Sequence, residues 1–287
     1  MSWISQIKQP VKVLRWRLRR ARAASRWGGS ELSRMPVVIG NAMPKSGSHL
    51  LIQVLLGLTK IGPFVDPGLP PISRSAANKN LAQAAVVENL QNLNPGDIVY
   101  CYLHAREPFI TELARNEVAA FFIYRDPRDL IVSHVFYATE MHPGHGMHAY
   151  YTQKLSTMEQ RINAAIQGVQ EHDAQLSSIK EKYQNYLGWL DQPSVLSIRF
   201  EDLILDRPAA IHRILDHMAA RGFDPQPPRQ QAVDALNSAI SPSASGTFRR
   251  GQPGEWRKHF TEENERVFKS VTGDLLQRLA YEKDASW

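Results

Sequence analysis

Hydrophobic positions along the chain fall into short unbroken runs that alternate with longer stripes. The runs Val37–Asn41, Ile98–Leu103, Ala119–Tyr124 and Val195–Phe200 read as buried strands. Stripes at helical spacing lie at 48–58, 128–138, 156–188, 207–221 and 262–281. The first is carried by Leu50, Leu51, Val54, Leu55 and Leu58. This alternation predicts an α/β fold, a three-layer sandwich with a parallel sheet flanked by helices and ligands at the carboxyl ends of the strands. Gly62–Asn80, rich in Pro, Gly, Ser and Asn, reads as a long loop over a site.

Residues 1–34 break with this pattern. After Pro10, suited to a first helical position, Val11, Leu14, Leu18, Ala21 and Ala24 form one apolar line among arginines, and Gly28-Gly29-Ser30 ends it. The segment holds nine Lys and Arg against Glu31, a net +8, so a chain of net +6 keeps −2 for its body. That balance excludes a nucleic-acid-type basic body, and no nucleic-acid partner is expected. The leading helix reads either as a basic amphipathic helix on an anionic membrane face, with Trp3 and Trp16 near the headgroups, or as a solvated tail or a helix packed on its own domain. The expected division is a basic segment at 1–34 and a main domain at 35–287. No apolar run approaches the ~18 residues of a spanning helix, and no secretory signal is evident. One cysteine, Cys101, excludes an internal disulfide framework and points to a reducing compartment. The expected location is cytoplasmic, peripheral on the inner face of a membrane.

The candidate chemistry sits at strand ends. Pro44-Lys45-Ser46-Gly47-Ser48-His49 follows the first run and opens the first stripe. Small residues let the backbone approach an oxyanion, a helix start offers N–H groups, and Lys45 adds charge, so the stretch reads as a phosphate cradle. Its lysine precedes the glycine, unlike a Walker A loop, so the γ-phosphate of ATP is not the expected anion. The second run ends at His104 and the third at Arg125-Asp126-Pro127-Arg128-Asp129, with Ser133 eight positions after Arg125. Arg125 suits a fixed anion, or else an ion pair with Asp126 or Asp129. Thr247–Thr261 carries Arg249, Arg250 and then glycines, read as a basic clamp or a solvated loop. His104 alone reads as a histidine bonded to backbone at a strand end. His142, His145 and His148 recur at three-residue spacing, but in a Gly/Pro loop with no cysteine or acid, so no metal is expected. Tyr183, Tyr186 and Trp189 read as packing.

Together, Pro44–Ser48, Tyr124–Asp129 with Ser133, and Phe248-Arg249-Arg250-Gly251 through Gly254-Glu255-Trp256 to Phe260-Thr261 resemble the motifs of sulfotransferases that use 3′-phosphoadenosine 5′-phosphosulfate (PAPS). They occur in that family's order and span most of the chain. The resemblance implies a P-loop-like fold, PAPS as donor, and sulfuryl transfer to a hydroxyl of a lipid, glycan or small alcohol without a metal. It implies that Lys45, Ser46, Gly47, Ser48 and His49 hold the 5′-phosphosulfate. Arg125 and Ser133, helped by Arg249, Arg250 and Gly251, would bind the 3′-phosphate, and Phe248 would be a further donor-binding residue. His104 would be the catalytic base, Lys45 would neutralise the leaving oxygen, and Phe200 would lie near the adenine. Two positions depart from the family: Leu50 where many members carry an adenine-stacking tryptophan, and Tyr102 where a lysine often precedes the catalytic histidine by two. Arg106 is the nearest cation in sequence to stand in for that lysine. The competing readings are a P-loop-type kinase and a non-catalytic nucleotide-binding module at a membrane surface.

Overall fold

The structure, a computed structural model, describes residues 3–68, 70–75, 79–241 and 251–287. In chain order come α1 (Trp3–Trp27), α2 (Gly29–Arg34), β1 (Val37–Ala42), α3 (Ser48–Leu56), α4 (Leu58–Ile61), α5 (Gln83–Gln91), β2 (Ile98–Cys101), α6 (Phe109–Ala114) and β3 (Val118–Tyr124). Next are α7 (Pro127–Phe136), α8 (Met158–Gln167), the hairpin β4 (Val169–Glu171) and β5 (Ala174–Leu176), and α9 (Ile179–Leu187). The chain ends with β6 (Val195–Arg199), α10 (Phe200–Leu205), α11 (Arg207–Ala220), α12 (Arg229–Asn237), α13 (Glu262–Thr272) and α14 (Leu275–Arg278). They form two compact units, Met1–Tyr124 with Gly188–Ser245, and Arg125–Leu187 with Gly246–Trp287.

The first unit contains the expected parallel sheet, in the order β2-β1-β3-β6. Val38 lies opposite Ile98 and Ala119, and Ala120 opposite Val195. Every residue of β1 is buried, which is why its sequence is an apolar run rather than an alternation. Leu51, Val54 and Leu55 of α3 pack with Val38, Phe121 and Ile198 of the sheet and with Ile211 and Leu236 of α11 and α12. Each such side chain, fully buried, contributes about 1.5–3 kcal/mol. The α3 stripe therefore sets the pitch of the helix that leaves the Lys45 loop.

Three sequence readings need correction. The stripe at 156–188 is two helices separated by the β4–β5 hairpin. Gly168 stops α8 at φ +84°, and a Cβ there would stand 2.7 Å from the Leu176 carbonyl oxygen. Phe200 is the first residue of α10 rather than the last of a strand, because Arg199 opposite Tyr124 is the last pair of the ladder. Pro10 lies inside α1, where its missing N–H removes one helical bond. The Gly62–Asn80 loop is also more anchored than its composition suggests. Val65 bridges to Asp97, and the Ile72 N–H donates to the Tyr100 carbonyl at 2.9 Å.

The second half of α1 docks within the first unit. Trp16 Nε1 and Arg20 both donate to the Asp97 carboxylate at 3.0 Å, Arg19 pairs with Asp66 at 2.8 Å, and Ala23 packs with Leu32 and Val65. The docked face is thus Trp16, Arg20 and Ala23. Of the apolar line read from the sequence, Ala24 packs against this cluster, whereas Leu14 is 58% and Leu18 50% exposed. Among the described residues no helix is long and apolar enough to cross a membrane.

His217 on α11 packs edge-on against Phe121 of β3, with ring centroids 5.0 Å apart. Burial, then the Arg221 charge, push its pKa down to about 4, against a hydrogen bond to the Ala120 backbone. The unfolded chain therefore binds a proton that the folded chain refuses between pH 6.5 and about 4. Stability to urea is expected to fall as pH drops through that window. His217→Gln is expected to flatten the slope, which urea melts at a series of pH values will read.

Candidate functional site

The Lys45 loop joins the end of β1 to the start of α3. Its backbone is left-handed at Lys45, φ +70°, and at Gly47, φ +98°. Only glycine fits the second position: a Cβ on Gly47 would meet Phe200 Cδ2 at 2.4 Å. Phe200, 6% exposed, thus lies directly on the loop. The Ser46 hydroxyl lies 2.7 Å from the Met43 carbonyl and 3.0 Å from that of Ile123, and the Ser46 N–H donates to Met43 at 3.2 Å. Ser46 therefore holds the loop to the sheet. The Gly47 carbonyl accepts from Leu50 and Leu51, so the N–H groups of Gly47, Ser48 and His49 precede the first intrahelical bonds and are the natural anion donors. Partial burial and then the Lys45 charge lower the His49 pKa, which also marks this as a locally cationic corner.

The exit of β2 is tied to the exit of β1 by Asn41. Its buried amide donates to the Leu103 carbonyl at 3.1 Å and accepts the Leu103 N–H at 2.8 Å. Trp189 Nε1 donates to the same carbonyl at 2.8 Å. His104, the next residue, is half-buried, and its pKa is lowered by burial first and by Arg106 second. A neutral imidazole is what a general base requires. Tyr102 reaches the loop from the other side, its hydroxyl 3.0 Å from Ser48 Oγ.

Arg125 and Ser133 belong to the second unit, Arg125 just before α7 and Ser133 half-buried within it. Arg125 is 11% exposed and 3.9 Å from Asp129. Asp126 instead takes Arg128, at 2.7 Å. Arg128 is 2% exposed, bonded also to Glu282 at 2.7 Å and set between the Trp256 and Trp287 rings at 4.1 and 4.4 Å. One arginine of the motif is thus structural, which leaves Arg125 as the ligand candidate. Asp129 accepts the N–H groups of Gly254 (2.7 Å) and Trp256 (2.9 Å), tying the C-terminal segment to α7. Its pKa is raised by burial, opposed by Arg125 and those two donors. The Tyr183 hydroxyl donates to the Arg125 carbonyl. Gly251 adopts φ +63°, whereas Phe248, Arg249 and Arg250 lie outside the described residues.

The reading from sequence missed Asn41, Arg128, and the bonds made by Asp129, Tyr183 and Trp189. A polar residue closing an otherwise apolar strand was the available signal for Asn41. Among the described residues, no group of three or more His, Cys, Asp or Glu is placed to hold a metal ion. In the histidine loop, His145 Nδ1 accepts the Met147 N–H at 3.1 Å and His148 Nδ1 lies 2.8 Å from the Ala138 carbonyl.

Residues 37–280 match the family described as the sulfotransferase domain. The chain belongs to that family. It is therefore a sulfotransferase, and a PAPS-dependent enzyme is the class that the match supports. A 3-alpha-hydroxysteroid sulfotransferase from Cavia porcellus is 23% identical over 246 residues, 79% of each chain. A mouse sulfotransferase, SULT7A1, complexed with PAP has a TM-score of 0.55 at 17% identity, over 90% of this chain and 91% of its own. Retinol dehydratase in complex with androsterone and inactive cofactor PAP has 0.57 at 16%, over 86% and 83%. These two structures share the P-loop-like fold.

If His104 is the general base, as proposed below, its environment carries a pH dependence. The acid limb of the kcat/KM profile is then expected below the ordinary histidine value of 6.5, and Arg106→Ala is expected to move that limb upward. Initial rates across pH 5–8 will measure both.

Proposed function

We propose that the protein moves the sulfuryl group of PAPS to an acceptor hydroxyl. The observation that carries this reading is the loop of a sulfotransferase-family chain, left-handed at Lys45 and Gly47, beside a β2 exit where Asn41 fixes the residue before His104. The N–H groups of Gly47, Ser48 and His49 bind the 5′-phosphosulfate, and Lys45 neutralises the bridging oxygen. Ser46 supports the loop. Arg125 and Ser133 bind the 3′-phosphate, with help from Arg249, Arg250 and Gly251, and Phe248 contributes to donor binding. Phe200 offers an apolar face near the adenine.

His104 accepts the acceptor's proton as the acceptor oxygen bonds to sulfur. The sulfur–oxygen bridge to the 5′-phosphate breaks, and its electrons stay on an oxygen paired with Lys45. Binding and charge placement supply most of the rate, as in phosphoryl transfer. The donor assignment draws support from two relatives whose structures hold PAP, adenosine 3′,5′-bisphosphate. Relatives named for a hydroxysteroid or holding androsterone or retinol support a lipid-like alcohol as acceptor.

We also propose that residues 1–34, docked on the main domain through Trp16, Arg20 and Ala23, form a basic segment that meets the anionic inner face of a membrane. The exposed Leu14 and Leu18, flanked by Arg15, Arg17 and Arg22, support that contact. Deleting the whole segment would disturb the Asp97 and Val65 contacts, so point changes are the sharper probe. Leu14→Glu with Leu18→Glu is expected to abolish sedimentation with phosphatidylserine vesicles while leaving turnover on a soluble alcohol unchanged.

Transfer of label from [35S]PAPS to an alcohol, without transfer from γ-labelled ATP and Mg²⁺, is the expected activity. Label from ATP would support the kinase reading, and PAP binding with no transfer to any acceptor the non-catalytic one. His104→Ala is expected to lower turnover by about 10²–10⁴-fold. Lys45→Ala should lower it by about 10²–10³-fold. Arg125→Ala should weaken PAP binding by roughly 10–100-fold, the worth of a charge-assisted hydrogen bond. Calorimetric titration with PAP separates that binding loss from the two rate losses.

A further inference from the structure

Tyr102 occupies a particular place at the loop. Its hydroxyl is 3.0 Å from Ser48 Oγ at the start of α3, and the Arg74 guanidinium lies over its ring at 5.6 Å. Arg74 sits in the segment that follows the outer edge of β2. The Ile72 N–H donates to the Tyr100 carbonyl at 2.9 Å, and Ser73 Oγ accepts the Tyr102 N–H at 3.3 Å. Arg74 itself bridges to Asn80. The Tyr100 ring meets Tyr102 edge-on, with centroids 6.2 Å apart. One neighbouring ring, a guanidinium and three backbone anchors thus fix one phenol at the rim of an anion cradle.

We infer that Tyr102 is a second arm of the donor site, whose hydroxyl turns from Ser48 to donate a hydrogen bond to a sulfuryl oxygen, and that Arg74 is the positioning residue that holds this phenol and adds positive charge behind it. The inference rests on the PAPS reading above. It requires Tyr102 to act on the sulfuryl end and not on the nucleotide as a whole. Stacking of a guanidinium on the ring face leaves the hydroxyl edge available to the ligand. Arg74 supplies from the loop a cation that the chain does not carry at position 102.

PAP lacks the sulfuryl group, so paired titrations with PAP and PAPS isolate the arm. Tyr102→Phe and Arg74→Ala are each expected to weaken PAPS binding by about tenfold, the low end for a hydrogen bond to a charged group, with PAP affinity held within about twofold. Arg74→Lys is expected to restore most of the PAPS preference, and Tyr102→Lys to make the enzyme insensitive to Arg74→Ala. Equal losses for PAP and PAPS would mean that the pair only stabilises the loop, and unchanged PAPS binding in both variants would mean that it has no part at the site. Either result overturns the inference while the donor reading stands. A wild-type protein that binds neither nucleotide overturns both.

Discussion

The side-chain amide of Asn41 holds the ends of two parallel strands in register after their own ladder has stopped. It is fully buried, and both its donor and its acceptor are spent on the backbone of Leu103. With Trp189 on the same carbonyl, neither lone pair of the Leu103 oxygen is left idle. Breaking such a pairing strands buried polar groups, at a cost of about 1–3 kcal/mol each. The energetic stake is modest, but the positional one is larger. The Lys45 loop begins two residues after Asn41 and His104 follows Leu103 directly, so one amide fixes the origin of both. Left-handed backbone at Lys45 and Gly47, and the commitment of Ser46 to the sheet, then aim three N–H groups outward from α3.

A related economy governs the second unit. Arg125 and Arg128 are three residues apart in one motif, yet their surroundings assign them opposite tasks. Arg128 is enclosed by two indole rings and two carboxylates, so its charge is consumed in holding the C-terminal residues to α7. Arg125 lies 3.9 Å from Asp129, whose carboxylate also accepts the Gly254 and Trp256 N–H groups. The Tyr183 hydroxyl donates to the Arg125 carbonyl and so steadies the backbone at this position.

Much of this was readable in advance, for a physical reason. Strands buried on both faces are largely apolar, so β1 and β3 announce themselves, and a loop of small residues with one lysine between β1 and an apolar stripe has few other uses. The failures are equally physical. Helical periodicity persists across Gly168, and it masks the local signals for the break, the Gly168 stop and the Ser178–Glu181 cap that precedes α9. The apolar line of α1 was a true periodicity, but Trp16, Arg20 and Ala23 form the face that docks. Asn41, Arg128 and Asp129 act through partners between 62 and 154 positions away, as Asn41 does with Leu103 and Arg128 with Glu282, and spacing rules do not reach that far. The proposed joint use of Lys45 and Arg125 on one nucleotide is a reading from motif order and chemistry.

The most direct test is a crystal structure of the protein with PAP. The account predicts the 5′-phosphate on the N–H groups of Gly47, Ser48 and His49 within hydrogen-bond reach of Lys45, and the 3′-phosphate on Arg125 and Ser133. A 5′-phosphate bound away from that loop, or a 3′-phosphate bound out of reach of Arg125, would contradict it.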